Sequence, residues 1–313
     1  MSKDLFGNEI KKSLSEKYII PPYSVIDMNN TKYRARAKKY IDLGIKSEIG
    51  RNSIVYTASS SKDKNKVEEL QNNWSDGAKI YRKKLIGNSG GISIFNPFIC
   101  EIMYNWFGVE NGTILDPFAG GSVRGIVANY LGYKYTGIEL RKEQVLSNRE
   151  QALNILPVNN QPQWYIGDSE KVVTELQPMY DMIFSCPPYA NLEVYSDDEN
   201  DISNMEYSQC ISKYRNIIRR SCEKLKDDCF AVFVVSEVRK KGKGGYYGEY
   251  LGFVNDTIKA FTDCGMQYYN EIIMINNTGN AGLRADKYMR TKKIVRCHQN
   301  ILVFKKCGGK NNY

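Results

Sequence analysis

Thr113-Ile114-Leu115-Asp116-Pro117-Phe118-Ala119-Gly120-Gly121-Ser122 reads as a short buried strand, a proline stop and a Gly-Gly turn. A helix follows, with Val123, Ile126, Val127 and Tyr130 on its apolar face. Two adjacent glycines let the backbone turn sharply and approach a ligand with no Cβ in the way. The turn is not a Walker A loop, because no Gly-Lys-Ser/Thr follows, and it is not GxGxxG. Taken alone, it serves a ligand or only the chain reversal.

Outward from that stretch the pattern is α/β. Asn96-Pro97 starts a helix through Ile99, Ile102, Met103 and Trp106. Further strands read at 135–139, 164–168, 180–185, 230–235, 271–275 and 301–304, with a helix from Arg141 to Leu153. Strands alternating with helical patterns predict a doubly wound, mostly parallel, seven-stranded sheet. Ligands of such sheets sit outside the carboxyl ends of the strands. Those ends carry Asp116 with Phe118 and Gly120, then Glu139, then Asp168, then Cys186-Pro187-Pro188-Tyr189. Glu139, about twenty residues past the glycines, suits ribose hydroxyls. Asp168 suits an adenine amino group. Each has a plainer role: a surface charge at Glu139, a helix cap at Asp168, a strand stop at the prolines. All of them holding at four consecutive strand ends is the less economical account.

Together these residues resemble the class I (Rossmann-like) S-adenosylmethionine-dependent methyltransferases, in the DNA amino-methyltransferase group. Asp116 to Ser122 is similar to that group's DPFxGxG cofactor loop, and Cys186 to Tyr189 to its (D/N/S)PP(Y/F/W) catalytic motif. His298 to Lys306 resembles its closing strand. Phage and mobile-element DNA methylases are nearer still, through Gly44 to Arg51, Thr136 to Val145, Ser185 to Asp198, Asp201 to Met205 and Lys293 to Phe304. The likeness covers about residues 18–52 and 91–306. It implies that Asp116, Phe118 and Gly120 line S-adenosylmethionine, Glu139 holds the ribose and Asp168 the adenine. Phe95, in Ser93-Ile94-Phe95-Asn96-Pro97, would lie near the methionine carboxylate.

An exocyclic base amine is a poor nucleophile, because its lone pair is delocalised into the ring. In the family, the first motif side chain and a proline carbonyl accept the amine hydrogens, and the aromatic residue stacks on a base flipped out of the duplex. Pro187 and Tyr189 keep those roles. Cys186 departs from the usual Asp, Asn or Ser, and a thiol is a weak acceptor. Cys186 is therefore a tolerated variant in an amine methyltransferase, or a nucleophile that activates pyrimidine carbon-5. Glu237, closing the neighbouring strand, would then serve the ring nitrogen. The retained Pro-Pro-Tyr favours the amine, since the carbon-5 enzymes' cysteine follows the proline. A third alternative is a methyltransferase-like DNA-binding module without catalysis.

The 313 residues carry a formal net charge of +9 and one histidine, His298. Residues 1–90 hold 18 basic and 10 acidic side chains, residues 91–200 hold 6 and 14, and residues 201–313 hold 20 and 11. Two basic flanks around an acidic middle suit a polyanion at the flanks and another ligand in the centre. Residues 1–90 read as a basic N-terminal extension with a polar linker at 57–78, and 91–313 as the catalytic domain. A target-recognition insert is expected at 239–296, where Arg239, Lys240, Arg284, Arg290 and Lys293 would grip double-stranded DNA. Solvated surface is the plainer account of those charges. Eight cysteines without a CxxC pair exclude a zinc ribbon and suit reduced thiols in a cytoplasm. No metal is expected. No run of about 18 apolar residues suggests a membrane span, and the polar N-terminus lacks a signal peptide's apolar core.

Overall fold

A computed structural model describes residues 12–46, 55–56, 95–188, 193–194, 201–202, 205–241, 247–276 and 281–308. In chain order come α1 (Leu14–Tyr18), β1 (Val25–Asp27), α2 (Thr31–Asp42), β2 (Val55–Tyr56) and α3 (Pro97–Phe107). Next are β3 (Thr113–Asp116), α4 (Val123–Tyr130), β4 (Lys134–Glu139), α5 (Lys142–Ile155), β5 (Gln163–Ile166), α6 (Ser169–Glu175) and β6 (Tyr180–Ser185). They are followed by β7 (Glu193–Val194), α7 (Tyr207–Glu223), β8 (Leu225–Val235), β9 (Arg239–Lys241) and β10 (Tyr247–Tyr250). The last are α8 (Phe253–Thr262), β11 (Met266–Ile275), α9 (Ala281–Met289) and β12 (His298–Lys306).

Local chemistry explains several boundaries. Asn96 caps α3, its side chain accepting from the Phe98 N–H at 2.9 Å, with Pro97 at the first helical position. Ser13 and Glu16 cap α1 reciprocally. The strands of the sheet's middle are apolar on both faces because helices cover both. Ile114, Leu115, Met182, Ile183, Phe184 and Val232 are fully buried. One face packs α2, α3, α4 and α5, and the other α6, α7 and α8.

The main sheet has the order β1-β11-β12-β8-β6-β3-β4-β5. Strands β8, β6, β3, β4 and β5 are mutually parallel, and β12 is antiparallel between β8 and β11. This is the doubly wound, mostly parallel α/β sheet of the class I methyltransferase type that the sequence leads one to expect. Its order reverses between β3 and β6, which makes that pair the topological switch point.

Three expectations change. The sheet has eight strands rather than seven, because Val25–Asp27 pairs parallel with Ile273–Ile275. The boundary at residue 90 therefore does not separate residues 12–46 from the body of the sheet. The basic helix α2 docks on α3 through the Tyr33–Phe98 ring contact at 4.9 Å and a two-pronged Arg36–Glu101 pair, each bond 2.7 Å. The 239–296 insert also contains core elements: α8 and β11 belong to the sheet and its cover, with Phe253 and Phe261 buried. Among the described residues, β9, β10 and α9 lie outside the main sheet. The linker at 57–78 lies outside the described residues.

Candidate functional site

The switch point is built around Asp116, fully buried at the end of β3. Its Oδ2 accepts from Arg124 Nε at 2.5 Å and from the Tyr135 hydroxyl at 2.7 Å. Its Oδ1 accepts from the Ser185 hydroxyl at 2.5 Å and the Phe118 N–H at 3.1 Å. One carboxylate thus ties together β3, β4, the glycine turn and the end of β6. Arg124 also donates from Nη2 to the carbonyls of Phe118 (2.6 Å) and Ala119 (2.9 Å). Burial alone would lower the Arg124 pKa, but Asp116, Tyr135 and Cys186 overcome it and raise it, so the guanidinium stays charged. An unpaired charge there would cost several kcal/mol, which is why the two occur together. Asp116 was expected to line a cofactor; its acceptors are occupied internally, so it shapes the loop that would.

The turn itself is pressed against β4. Gly120 has φ +52°, a left-handed conformation that favours glycine. A Cβ on Gly137 would lie 2.8 Å from the Ala119 Cβ and 2.7 Å from the Tyr135 ring. Only glycine in β4 lets the loop lie this close, and the Ala119 N–H then bonds the Ile138 carbonyl at 3.0 Å. Ser169 donates to the Pro117 carbonyl at 2.5 Å. Phe118 is half-buried against Tyr214, ring centroids 5.7 Å apart. The Phe95 ring stacks on the Arg124 guanidinium at 4.9 Å and meets Phe184 edge-on at 5.7 Å. The structure thus brings Phe95, Asp116, Phe118 and Gly120 to one place.

Glu139 ends β4, and its Oε1 accepts from the Arg141 N–H (3.0 Å) and Nε (3.2 Å). No bond to its Oε2 is made among the described residues. Arg141 opens a buried polar ladder on α5. It donates to Gln144 at 3.1 Å, Gln144 to Asn148 at 2.9 Å, and Asn148 to the Gly120 carbonyl at 2.8 Å. The ladder holds the glycine turn at a fixed distance from Glu139. Asp168 does cap a helix, its Oδ1 accepting from the Glu170 N–H at 3.0 Å. Its Oδ2 lies 2.9 Å from Lys213 Nζ on α7.

Cys186 follows β6, half-buried and reduced, with Pro187 buried and Pro188 half-buried. Tyr189 lies outside the described residues. Glu237, expected to serve a ring nitrogen in the carbon-5 alternative, is engaged by backbone donors. Its Oε1 accepts from the N–H groups of Val238 (3.1 Å), Gly252 (2.8 Å) and Phe253 (2.8 Å), so it anchors the start of α8.

Strand β8 runs parallel to β6, and β12 begins where β8 ends, Asn300 opposite Val235. The described residues 239–241 and 276 therefore leave the sheet, and 297 re-enters it, at the same edge as Asp116, Glu139 and Cys186. Arg239 is half-buried, its guanidinium 3.7 Å over the Tyr250 ring. Lys240 and Arg284 are exposed, and Lys293 is half-buried. Arg290 is exposed but paired with Asp286 at 2.8 Å. Among the described residues no cluster of three His, Cys, Asp or Glu could hold a metal, and no helix is long and apolar enough to cross a membrane.

Sequence reading missed Arg124, Arg141, Asn148 and Lys213. The polar set Arg141, Gln144, Asn148 and Gln151 recurs at helical spacing, and that was the available signal. Lys213 has no such signal.

No family model and no curated protein matches the chain. Among solved structures it is similar to TrmN from Thermus thermophilus, at 13% identity over 72% of this chain and 52% of that one, TM-score 0.48. The chain thus spans about half the length of that protein. It is also similar to magnesium protoporphyrin IX methyltransferase from Synechocystis PCC 6803 with bound SAH, at 13% identity over 78% and 99%, TM-score 0.42. A third is a Thermus thermophilus protein described as a candidate DNA modification methylase, at 19% identity over 47% and 53%, TM-score 0.33. At such identities and scores they add nothing to what the strand order and the side chains establish.

Proposed function

We propose that the protein is an S-adenosylmethionine-dependent methyltransferase acting on the exocyclic amine of a flipped DNA base, adenine N6 or cytosine N4. The observation that carries this is the alignment, along the carboxyl edge of adjacent parallel strands, of a glycine turn and Cys186-Pro187-Pro188 at the switch point with Glu139 and Asp168 beside them, on an edge also bearing Lys240 and Arg284. The donor set fits the cofactor. Carboxylates at Glu139 and Asp168 are acceptors facing a ligand whose ribose and adenine present donors. Half-buried Phe118 and Phe95 supply apolar surface beside the glycine turn. When bound, the cofactor supplies an electrophilic methyl group on a sulfonium.

The chain's own residues prepare the nucleophile. Ser185, bonded to Asp116, fixes the backbone from which Cys186 and Pro187 project. The Pro187 carbonyl accepts one amine hydrogen and Cys186 receives the other, which localises the nitrogen lone pair. As nitrogen gains the methyl group, one amine proton leaves to solvent. The competing carbon-5 mechanism asks Glu237 to serve the ring nitrogen, and the three backbone donors on its Oε1 speak against that.

The test is incubation with isotopically labelled cofactor and DNA, or RNA in a parallel arm, followed by digestion and mass spectrometry. N6-methyladenine or N4-methylcytosine in DNA is expected. 5-methylcytosine, label only in RNA, or DNA retention without product overturns the proposal. Cys186→Ala should keep residual amine methylation, whereas a carbon-5 mechanism loses all turnover.

A further inference from the structure

Asp168 and Lys213 form an ion pair shielded from solvent, each side chain 11% exposed. The two come from different layers of sequence. Asp168 follows β5, while Lys213 lies on α7, the helix that follows the segment behind Cys186. The neighbouring residues repeat the link: Asn216, one turn on from Lys213, donates to Glu170 Oε1 at 3.0 Å. Asp168 is therefore held from two directions. The Glu170 N–H takes Oδ1 at 3.0 Å, and Lys213 Nζ takes Oδ2 at 2.9 Å.

A capping aspartate needs only the first of these contacts. With one oxygen bonded, the carboxylate can still turn about its Cβ–Cγ bond. With both bonded, its plane is set. Each oxygen keeps a further lone pair, so the fixed plane presents acceptors in a set direction and no donor. Such a surface selects a ligand amino group and rejects a carbonyl at the same place, where lone pairs would face lone pairs.

We infer that Lys213 is a positioning residue that orients Asp168 to read the amino group of an adenine ring. This rests on the cofactor reading above and adds to it the residue that sets base selectivity. Lys213 does not touch the reacting atoms. Its loss leaves a shielded carboxylate without its cation, and that carboxylate relaxes by turning toward solvent.

The experiment measures binding of S-adenosylhomocysteine and of its inosine analogue, in which a carbonyl replaces the amino group, by calorimetry on the full chain. A buried hydrogen-bonding group commonly discriminates by two orders of magnitude or more. Wild-type protein is expected to prefer the adenosine compound by about 100-fold or more. Lys213→Met should shrink that ratio to below about 10-fold, and Lys213→Arg should restore most of it. A merely structural role for Lys213 would weaken both compounds alike. Asp168→Asn, whose amide can donate, should turn the preference toward the inosine compound. An unchanged ratio in a folded Lys213→Met protein, checked by its thermal transition, overturns the inference. If that variant does not fold, a Lys213→Gln protein with the wild-type ratio overturns it equally. Wild-type protein that binds neither compound removes the cofactor reading itself, and this inference with it.

Discussion

Asp116 concentrates more of the site's order than any other residue expected to touch a ligand. Four donors from β4, β6, the glycine turn and α4 end on its two oxygens, and the Arg124 side chain beside it is only 6% exposed. Removing the charge from one partner of such a pair leaves the other buried and unmatched. Asp116→Asn should therefore lower the unfolding free energy by about 3–5 kcal/mol, read from urea denaturation. A loss under about 1 kcal/mol would mean that the loop finds another arrangement. His298 has a milder consequence. Burial and the nearby Arg296 hold its pKa below 6.5, against the pull of Glu271. The unfolded chain then binds protons more readily than the folded one. Its share of stability is intact above pH 6.5 and declines as pH falls through the lowered value. His298→Gln should flatten the slope of stability as pH falls below 6.5, a comparison of thermal transitions that equal slopes would contradict.

At the scale of elements, the helices hold the site by their polar contacts as much as by apolar packing. Helix α5 carries the ladder from Arg141 to Asn148, and α7 reaches Asp168 through Lys213. Helix α8 starts at Gly252 in a left-handed conformation, with Glu237 supplying the acceptor that a capping side chain would otherwise provide. Glu237→Ala should cost about 0.5–2 kcal/mol, as loss of a cap does, while the proposed methyl transfer changes by no more than a few-fold. A proton-transfer role would instead cost about 10²-fold or more in turnover. Thermal unfolding and turnover measured on the same variant separate the two.

Across the whole molecule the charge has a direction. The described ends of the connections after β8 and before β12 lie on the edge that carries the strand-end carboxylates, and α2 brings Arg34, Lys38 and Lys39 onto the same body through α3. Under the proposed function, exposed Arg284 meets a phosphate. Arg284→Ala should weaken binding to all duplex sequences alike and reduce the slope of log affinity against log salt by about 1. A slope equal to wild type would take Arg284 off the interface. Arg290 is already paired with Asp286, so its removal should matter less.

Much of the fold was legible because the period of apolar residues is a local property. The strand and helix around 113–130, the Asn96-Pro97 helix start and the parallel winding all follow from it. The residues of the glycine turn and of the strand ends were legible for a related reason, since a parallel sheet places consecutive strand ends on one edge. Tertiary structure alone decided which of these groups are taken up by internal donors. Asp116 and Glu237 are carboxylates at strand ends like Glu139, yet donors distant in sequence occupy the first and an incoming helix the second. The addition of Val25–Asp27 as an eighth strand and the approach of Lys213 to Asp168 join segments hundreds or tens of residues apart. No local pattern encodes such pairs, because the energy of a buried charge depends on what the folded chain places beside it.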